Sequence, residues 1–469
     1  MASEPQATPF RPKARILTLG DAFYDRVEPA AFPAARLRFR NNRAAAEIGL
    51  AGLTDAEWID RFARFAPFEN SLPEPLALRY HGHQFRVYNP DIGDGRGFLY
   101  AQMRDARGRL MDLGTKGSGR TPWSRFGDGR LTLKGGVREV LATEMLEALD
   151  VETSRSLSLI ETGEELIRGD EPSPTRSSVL VRLSWGHIRI GTFQRLAYLR
   201  DEENIAALVR YCLAELYGEQ PGDQPALRLY EHVVAGTARL AASYMAAGFV
   251  HGVLNSDNIA ITAESFDYGP WRFTPYWDSA FTAAYFDQTG LYAFGRQALA
   301  IHWDAAQLAI ALAQIAEVEA LAAILDRFPK LYEEALTAAL LRRLGVAPRG
   351  EAEDLALADA MQRALSQCTV PIDRFFFDWR GGRRRAPSPA DEAYAHPVFA
   401  PFVETVAHYE PIKCALDHPY WSDAEPCSMH IEEVEAVWDA IATSDDWSRF
   451  EAKIAAVRRA GEAHSLTRG

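Results

Sequence analysis

Strand-like patterning gives way near residue 195 to patterning that is largely helical, and this change of texture sets the fold class of the chain. Residues 98–103 alternate as a strand, Asp105-Ala106-Arg107-Gly108 is a hairpin turn, and 110–116 returns. Past the loop 117–130, Val137, Leu141, Met145 and Leu149 recur every four residues with Val140 beside them, the stripe of a helix with one apolar face. Strands are expected over 156–160 and 178–183, with a short third near Ile188. Helical periodicity then covers 205–216, 227–247, 305–324 and 331–344, and near the end 431–441 and 446–460. Residues 1–80 mix short helical patterns with Pro and Arg, and a helix is expected over 56–66. The architecture read from this is α+β: a small, mostly antiparallel sheet carrying one key helix, followed by a larger helical part.

Four hundred and sixty-nine residues leave room for two lobes, and 47% hydrophobic with 25% charged residues supply an ordinary core. A net charge of −13 argues against a nucleic-acid partner, which needs a basic footprint, and against an anionic membrane surface. Cys212, Cys368, Cys414 and Cys427 form no C-x-x-C pair and fit no zinc spacing, so they read as reduced structural thiols. Met1-Ala2-Ser3-Glu4-Pro5 lacks a basic-then-apolar signal, and the most apolar run, 308–325, is interrupted by Glu317 and Glu319. The expected location is the cytoplasm, and the expected state a monomer. Residues 380–391, with Arg380-Gly381-Gly382-Arg383-Arg384-Arg385, read as an exposed, solvated loop.

The helix over 227–247 delivers the chain to His251-Gly252-Val253-Leu254-Asn255-Ser256-Asp257-Asn258, with Asp267-Tyr268-Gly269 nine residues further on. Protein kinases carry H-R-D-x-x-x-x-N and then D-F-G in this order. Counted from His251, Asn258 stands where the metal-binding asparagine belongs, but the place of the base aspartate is taken by Val253, which accepts no proton. A carboxylate stands beside the asparagine instead, at Asp257. Asn258 and Asp267 offer the hard oxygen ligands that Mg2+ prefers. Upstream, Gly93-Asp94-Gly95-Arg96-Gly97 is a turn where backbone can approach a phosphate without a Cβ in the way. Lys116 closes a strand, and Glu139 lies on the next helix, the order in which kinases hold a lysine against nucleotide phosphates. Each feature alone is weak, since such turns, charges and Asx residues are common on surfaces. In sequence they make a kinase layout whose base has moved, which points to nucleotide chemistry other than ordinary phosphorylation.

His81-Gly82-His83-Gln84-Phe85, Gly93-Asp94-Gly95-Arg96, Lys116-Gly117-Ser118-Gly119, Ser124-Arg125-Phe126-Gly127-Asp128-Gly129-Arg130, Asn255-Ser256-Asp257-Asn258 and Phe266-Asp267-Tyr268-Gly269 carry a resemblance. Over most of residues 10–300 the chain resembles the selenoprotein O family of protein adenylyltransferases, pseudokinases of bacteria and mitochondria. The resemblance implies a two-lobed protein-kinase-like fold, with an N-terminal extension and nucleotide-binding lobe over 1–200 and a helical lobe with the catalytic loop and C-terminal extension over 201–469. It implies ATP bound in a flipped orientation and AMP transferred to Ser, Thr or Tyr hydroxyls of other proteins. It assigns nucleotide contacts to Gly93, Gly95, Arg96, Lys116, Asp128, Gly129 and Asp267, phosphate contacts to Arg182 and Arg189, the proton acceptor to Asp257, Mg2+ to Asn258 and Asp267, and the partner of Lys116 to Glu139. Mn2+ in place of Mg2+, and UTP in place of ATP, stay open. So do two other readings of the residues: a phosphotransferase with Asp257 as relocated base, and a non-catalytic ATP-binding scaffold.

Two features stand apart from the resemblance. The family's redox-active cysteine or selenocysteine near the C-terminus has no counterpart after Cys427, so redox regulation through such a tail is not expected, and residues beyond about 390 match the family poorly. His81 and His83 have the spacing of a metal pair but no third ligand in view, and are expected to make structural hydrogen bonds.

Overall fold

A computed structural model describes residues 8–169 and 171–465. Its central element is a nine-stranded sheet in which every pairing is antiparallel. Seven of its strands are β1 (Tyr24–Arg26), β2 (Arg36–Arg40), β3 (Leu76–Leu78), β4 (Leu99–Arg104), β5 (Leu110–Lys116), β6 (Arg155–Leu166) and β7 (Thr175–Ser184). They run in the order β1-β3-β4-β5-β7-β6-β2, while Pro12–Lys13 adds to β4 and Leu131–Thr132 to β7. The sheet is larger than the sequence reading expected, because residues 1–80 supply strands as well as helices. β1 and β3 are three residues long, too short for alternation to register as a pattern.

Both faces are covered, which is why β5 is buried at all seven positions. Met111 and Leu113 face one core with Val179, Val181 and Leu183. That core is closed by α1 (Asp55–Phe62), whose Trp58 and Phe62 are fully buried. A capping box starts α1: Thr54 Oγ1 accepts from the Glu57 N–H, and the Glu57 carboxylate accepts from the Thr54 N–H. On the opposite face Leu180 and Leu159 belong to a core shared with α2 (Leu133–Ala148), which packs on β6 and β7 and is capped by Thr132 at the Gly135 N–H (3.1 Å). The same core continues through α3 (Ile190–Tyr198), α4 (Pro225–Ala247) and α5 (Gln297–Leu312). A third core lies behind α4, where α6 (Phe328–Leu344) packs with Phe375, Phe376, Trp379, Phe399 and Phe402.

Several expectations need correcting. The short strand expected near Ile188 is reduced to a single antiparallel bridge, Arg189 to Ala260, in which the Ile190 N–H donates to the Ile259 carbonyl (3.0 Å) and the Ile261 N–H to the Ile188 carbonyl (2.9 Å), before the chain enters α3. The helix expected over 305–324 is two, Gln297–Leu312 and Val318–Leu325, separated where Gln314 turns to the Ala197 carbonyl (2.7 Å). The arginine run is not a solvated loop at its start. Arg380 is fully buried, with Nη1 donating to the Arg342 and Arg343 carbonyls (both 2.9 Å). Those carbonyls belong to the last turn of α6; the Gly345 N–H also reaches that of Arg342 (3.0 Å), while the guanidinium supplies the Arg343 carbonyl with a donor and places its charge at the negative end of the helix dipole. The C-terminal helix α7 (Ser448–Ser465) lies on α2, and Arg458 clamps the buried Glu144 there through Nε and Nη2 (2.8 and 2.7 Å). All four cysteines are free.

Candidate active site

Antiparallel register sets the direction of the two central cations. Gly114 of β5 lies opposite Arg182 of β7, and Lys116 opposite Leu180. Opposed residues and residues two apart share a sheet face, so Lys116 and Arg182 leave the sheet on the side that α2 covers. There Lys116 Nζ pairs with Glu139 of α2 and, at 2.7 Å, with Asp267 Oδ1. Arg182 Nη1 reaches the same oxygen at 3.4 Å. Arg189, at the head of α3, stacks on the rings of Tyr80 (4.1 Å) and Phe266 (4.9 Å); its Nη1 donates to the Asp257 carbonyl at 3.1 Å. Tyr80, Lys116, Arg182, Arg189, Asp257 and Asp267 line a cavity of about 800 Å3, a volume in the range of small-molecule sites.

The turn carrying Asp257 is held from three directions. Ser256 Oγ accepts from the His83 N–H (2.7 Å) and donates to Gln194 (2.6 Å). Asn255 Oδ1 accepts from the Phe85 N–H (3.0 Å) and the Tyr292 hydroxyl (2.7 Å). Asn258 Nδ2 donates to the Val253 carbonyl (2.9 Å), which commits that end of the amide and leaves Oδ1 for a ligand. His251 ties this loop to the next: Nε2 donates to the Phe266 carbonyl (3.0 Å), immediately before Asp267. Asp267 itself sits in the left-handed region at φ 64°, where Asp is tolerated better than most residues.

The two carboxylates are driven in opposite directions. Burial pushes the Asp257 carboxyl up to about 6, against the pull of Arg189. Its Oδ1 is buried with no hydrogen-bond partner among the described residues. A Cβ at residue 82 would lie 2.7 Å from that oxygen, so Gly82 makes its room. For Asp267, burial also pushes up, but Lys116, Arg182, Arg189 and Arg96 together outweigh it and hold the carboxyl well below its ordinary value. One carboxyl therefore titrates near neutrality while its neighbour stays ionised, the separation that distinguishes a proton acceptor from an electrostatic or metal ligand.

Every other residue that the resemblance assigned to the nucleotide, the phosphates or the metal lines this cavity, and Glu139 stands one contact behind it. The glycines of the turn are explained differently than expected. A Cβ at Gly93 would meet the Trp123 ring at 2.6 Å, and one at Gly95 the Trp123 carbonyl at 2.9 Å. Packing of the 121–130 loop, and not only approach to a ligand, demands glycine there. Asp128 stands exposed at the mouth and pairs with Arg168 (2.8 and 3.1 Å). Gly129 is buried at φ 72° against the Gly119 carbonyl. Arg96 is exposed on the rim. His81 and His83 serve as structural groups, His81 Nδ1 against Tyr88 Oη (2.8 Å) and His83 Nδ1 accepting from Gln194 Nε2 (2.7 Å). Among the described residues no group of three His, Cys, Asp or Glu side chains gathers to hold a metal. Sequence reasoning missed Tyr80, Gly82 and Gln194; the only signal for Gly82 was its place in H-G-H-Q-F.

A cavity that gathers cations from both sheet and helices onto isolated carboxylates is that of an enzyme handling a phosphorylated substrate, here a nucleotidyltransferase. Residues 8–395 match the family described as protein adenylyltransferase SelO, and the chain belongs to that family. A relative from Gloeobacter violaceus, named protein nucleotidyltransferase YdiU, is 44% identical over 469 aligned positions covering 94% of each chain. The protein of the same name from Synechocystis sp. is 41% identical over 92% of this chain and 94% of its own. One from Pseudomonas putida is 35% identical over 81% and 76%. The family match extends well past residue 300, and the first two relatives carry the likeness into the C-terminal part. No helix among the described residues is long and apolar enough to cross a membrane.

Proposed function

We propose that this protein transfers AMP from ATP to Ser, Thr or Tyr hydroxyls of other proteins, with Asp257 as the proton acceptor. The observation that carries the reading is the Asp257 carboxyl: buried, unpartnered at Oδ1, and in one cavity with Lys116, Arg182, Arg189 and Asp267, while Val253 occupies the kinase base position. The fold follows as kinase-like and two-lobed, with the sheet and α2 in 1–200, the helices in 201–469, and the cavity between them. The protein acts as a monomer in the cytoplasm.

Lys116, Arg182 and Arg189 neutralise and orient the triphosphate, two of them with guanidinium forks suited to phosphate, and Arg96 closes on it from the rim. The acceptor oxygen attacks the α-phosphorus; the new O–P bond forms as the bond from the α-phosphorus to the bridging oxygen breaks, and pyrophosphate departs with that electron pair. The hydroxyl proton passes to Asp257 Oδ1. Asn258 and Asp267 fit a divalent cation: Asp267 is ionised, Asn258 Oδ1 is uncommitted, and two protein oxygens completed by phosphates are what Mg2+ ordinarily takes. When bound, Mg2+ supplies charge stabilisation for the phosphate oxygens. Positioning and fixed charge carry most of the rate gain.

ATP labelled separately at the α- and γ-phosphates tests the reading. Protein labelled from the α position is the expected result; labelling from γ would mean phosphorylation, and binding with neither label would mean a scaffold. Lys116→Ala is expected to lower kcat/KM for ATP by roughly 10–100-fold, the loss of one charge-assisted phosphate contact. It also leaves Glu139 buried without its cation, so the melting temperature should fall. Unchanged nucleotide kinetics would place Lys116 outside the site.

A further inference from the structure

The turn that carries Asp257 is gripped by a short hairpin, Gly82–Gln84 paired with Val87–Asn89, whose tip holds Phe85 and Arg86 both in left-handed backbone (φ 50° and 63°). Neither is glycine, so the tip conformation is costly and must be held by its contacts. Those contacts run to the reaction centre: Gly82 against Asp257, the His83 N–H to Ser256, the Phe85 N–H to Asn255. On the outer side, the Phe85 ring packs against Phe286 (5.8 Å) and Tyr292 (5.0 Å), and Phe286 against Tyr285 (5.1 Å). Three apolar side chains here face solvent: Val87 at 70% exposure, Tyr285 at 87% and Phe286 at 46%. Single exposed apolar residues are ordinary; a cluster adjoining a reactive carboxylate marks an interaction surface.

Charge narrows the partner. Arg86 is exposed at the hairpin tip and rests on the Trp303 ring (5.4 Å); its charge acts on the buried Asp304 carboxyl, which burial nevertheless pushes well above its ordinary value and so towards the neutral form. Arg296, further along the segment that carries Tyr285 and Phe286, is exposed and donates to the Thr289 and Gly290 carbonyls (3.0 and 3.3 Å). In a chain of net charge −13, an exposed guanidinium at the hairpin tip whose nearby carboxyl is held neutral by burial makes a local complement for an acidic side chain.

Resting on the adenylyl-transfer reading above, we propose that this shelf, Phe85–Val87 with Tyr285 and Phe286, is where the acceptor polypeptide docks. The occupant is a segment that places its hydroxyl residue at Asp257, sets an apolar side chain beside it onto Tyr285 and Phe286, and directs a carboxylate towards Arg86. Apolar anchoring would hold the segment and the charge pair would orient it.

Fluorescein-labelled synthetic peptides test this on the full chain. Each carries one Ser, Thr or Tyr, with Leu or Gly beside it and Glu or Lys nearby. Binding is read by anisotropy with an ATP analogue bridged by methylene between the α- and β-phosphates, and transfer by α-labelled ATP. The Leu/Glu peptides are expected to bind the parent protein roughly ten-fold more tightly than the Gly/Lys peptides. Arg86→Glu should reverse the charge preference, Tyr285→Ala with Phe286→Ala should erase the apolar one, and analogue affinity should stay unchanged in both. Indifference of the parent to peptide sequence, or variants that bind as the parent does, would overturn the shelf. Peptide binding that follows these residues with no α-label transferred keeps the shelf and removes the adenylyl-transfer reading; transfer that ignores them does the reverse.

Discussion

Asp267→Ala is expected to reduce AMP transfer by about a thousand-fold or more, the scale of losing both a metal ligand and the charge it organises. The reason lies in how many groups converge on one oxygen. Asp267 Oδ1 meets Lys116 at 2.7 Å and Arg182 at 3.4 Å, and the same carboxylate, 29% exposed, opens onto the cavity. Removing it leaves Lys116 paired with Glu139 alone and Arg182 without its carboxylate. Nucleotide binding should then survive but lose its response to Mg2+, because the remaining positive charge still attracts the triphosphate. Titration of ATP by calorimetry with and without Mg2+ separates the two effects. A variant with full transfer, or with Mg2+ dependence intact, would take Asp267 out of the metal site.

The second large effect is expected at Asp257. Asparagine keeps the shape of the side chain and removes its capacity to accept the proton, and a positioned general base is worth roughly 10²–10⁴-fold. Asp257→Asn should therefore lose transfer by that factor while ATP affinity changes little. Its pH signature follows from the raised carboxyl. Burial disfavours the charged form, so Asp257 becomes protonated as pH falls through about 6. Only the ionised form accepts a proton, so transfer by the parent protein should fall below that point and level off above it. Asp257→Asn should flatten that limb of the profile. A parent rate that rises as pH drops through 6 would contradict the assignment of Asp257 as base.

Much of the site was readable because its parts sit on local structure whose rules are short-range. The strand 110–116 was expected and observed with the same ends, since a hairpin turn and a period-two run define it locally. The spacing from His251 to Asn258 and on to Asp267 is covalent, so the loop could be counted without knowing where it lay. Strands over 178–183 and near Ile188 were expected to carry Arg182 and Arg189. Both side chains reach the cavity, but Arg189 arrives from the head of α3, held by Tyr80 and Phe266. No periodicity in 185–198 could announce that, because the partners lie about a hundred residues upstream and some eighty downstream. The same limit applies to Arg380. A run of charged residues ordinarily faces water, and only the end of α6, whose Arg342 and Arg343 carbonyls accept from it, gives a guanidinium reason to be buried.

By itself the amino-acid order determined which chemical groups are available and in what succession: a strand lysine, a helix glutamate, a loop without the usual base, and two oxygen ligands. Whether those groups act together was decided by tertiary structure. The edge strands from residues 1–80 complete the sheet on whose central strands Lys116 and Arg182 stand. The hairpin at 82–89 buries Asp257 and raises its carboxyl, and Trp123 fills the space beside Gly93 and Gly95. Charge separation between two carboxylates depends on how much water each retains and which cations it faces. Both are set by contacts between segments far apart in the chain, which local sequence does not encode.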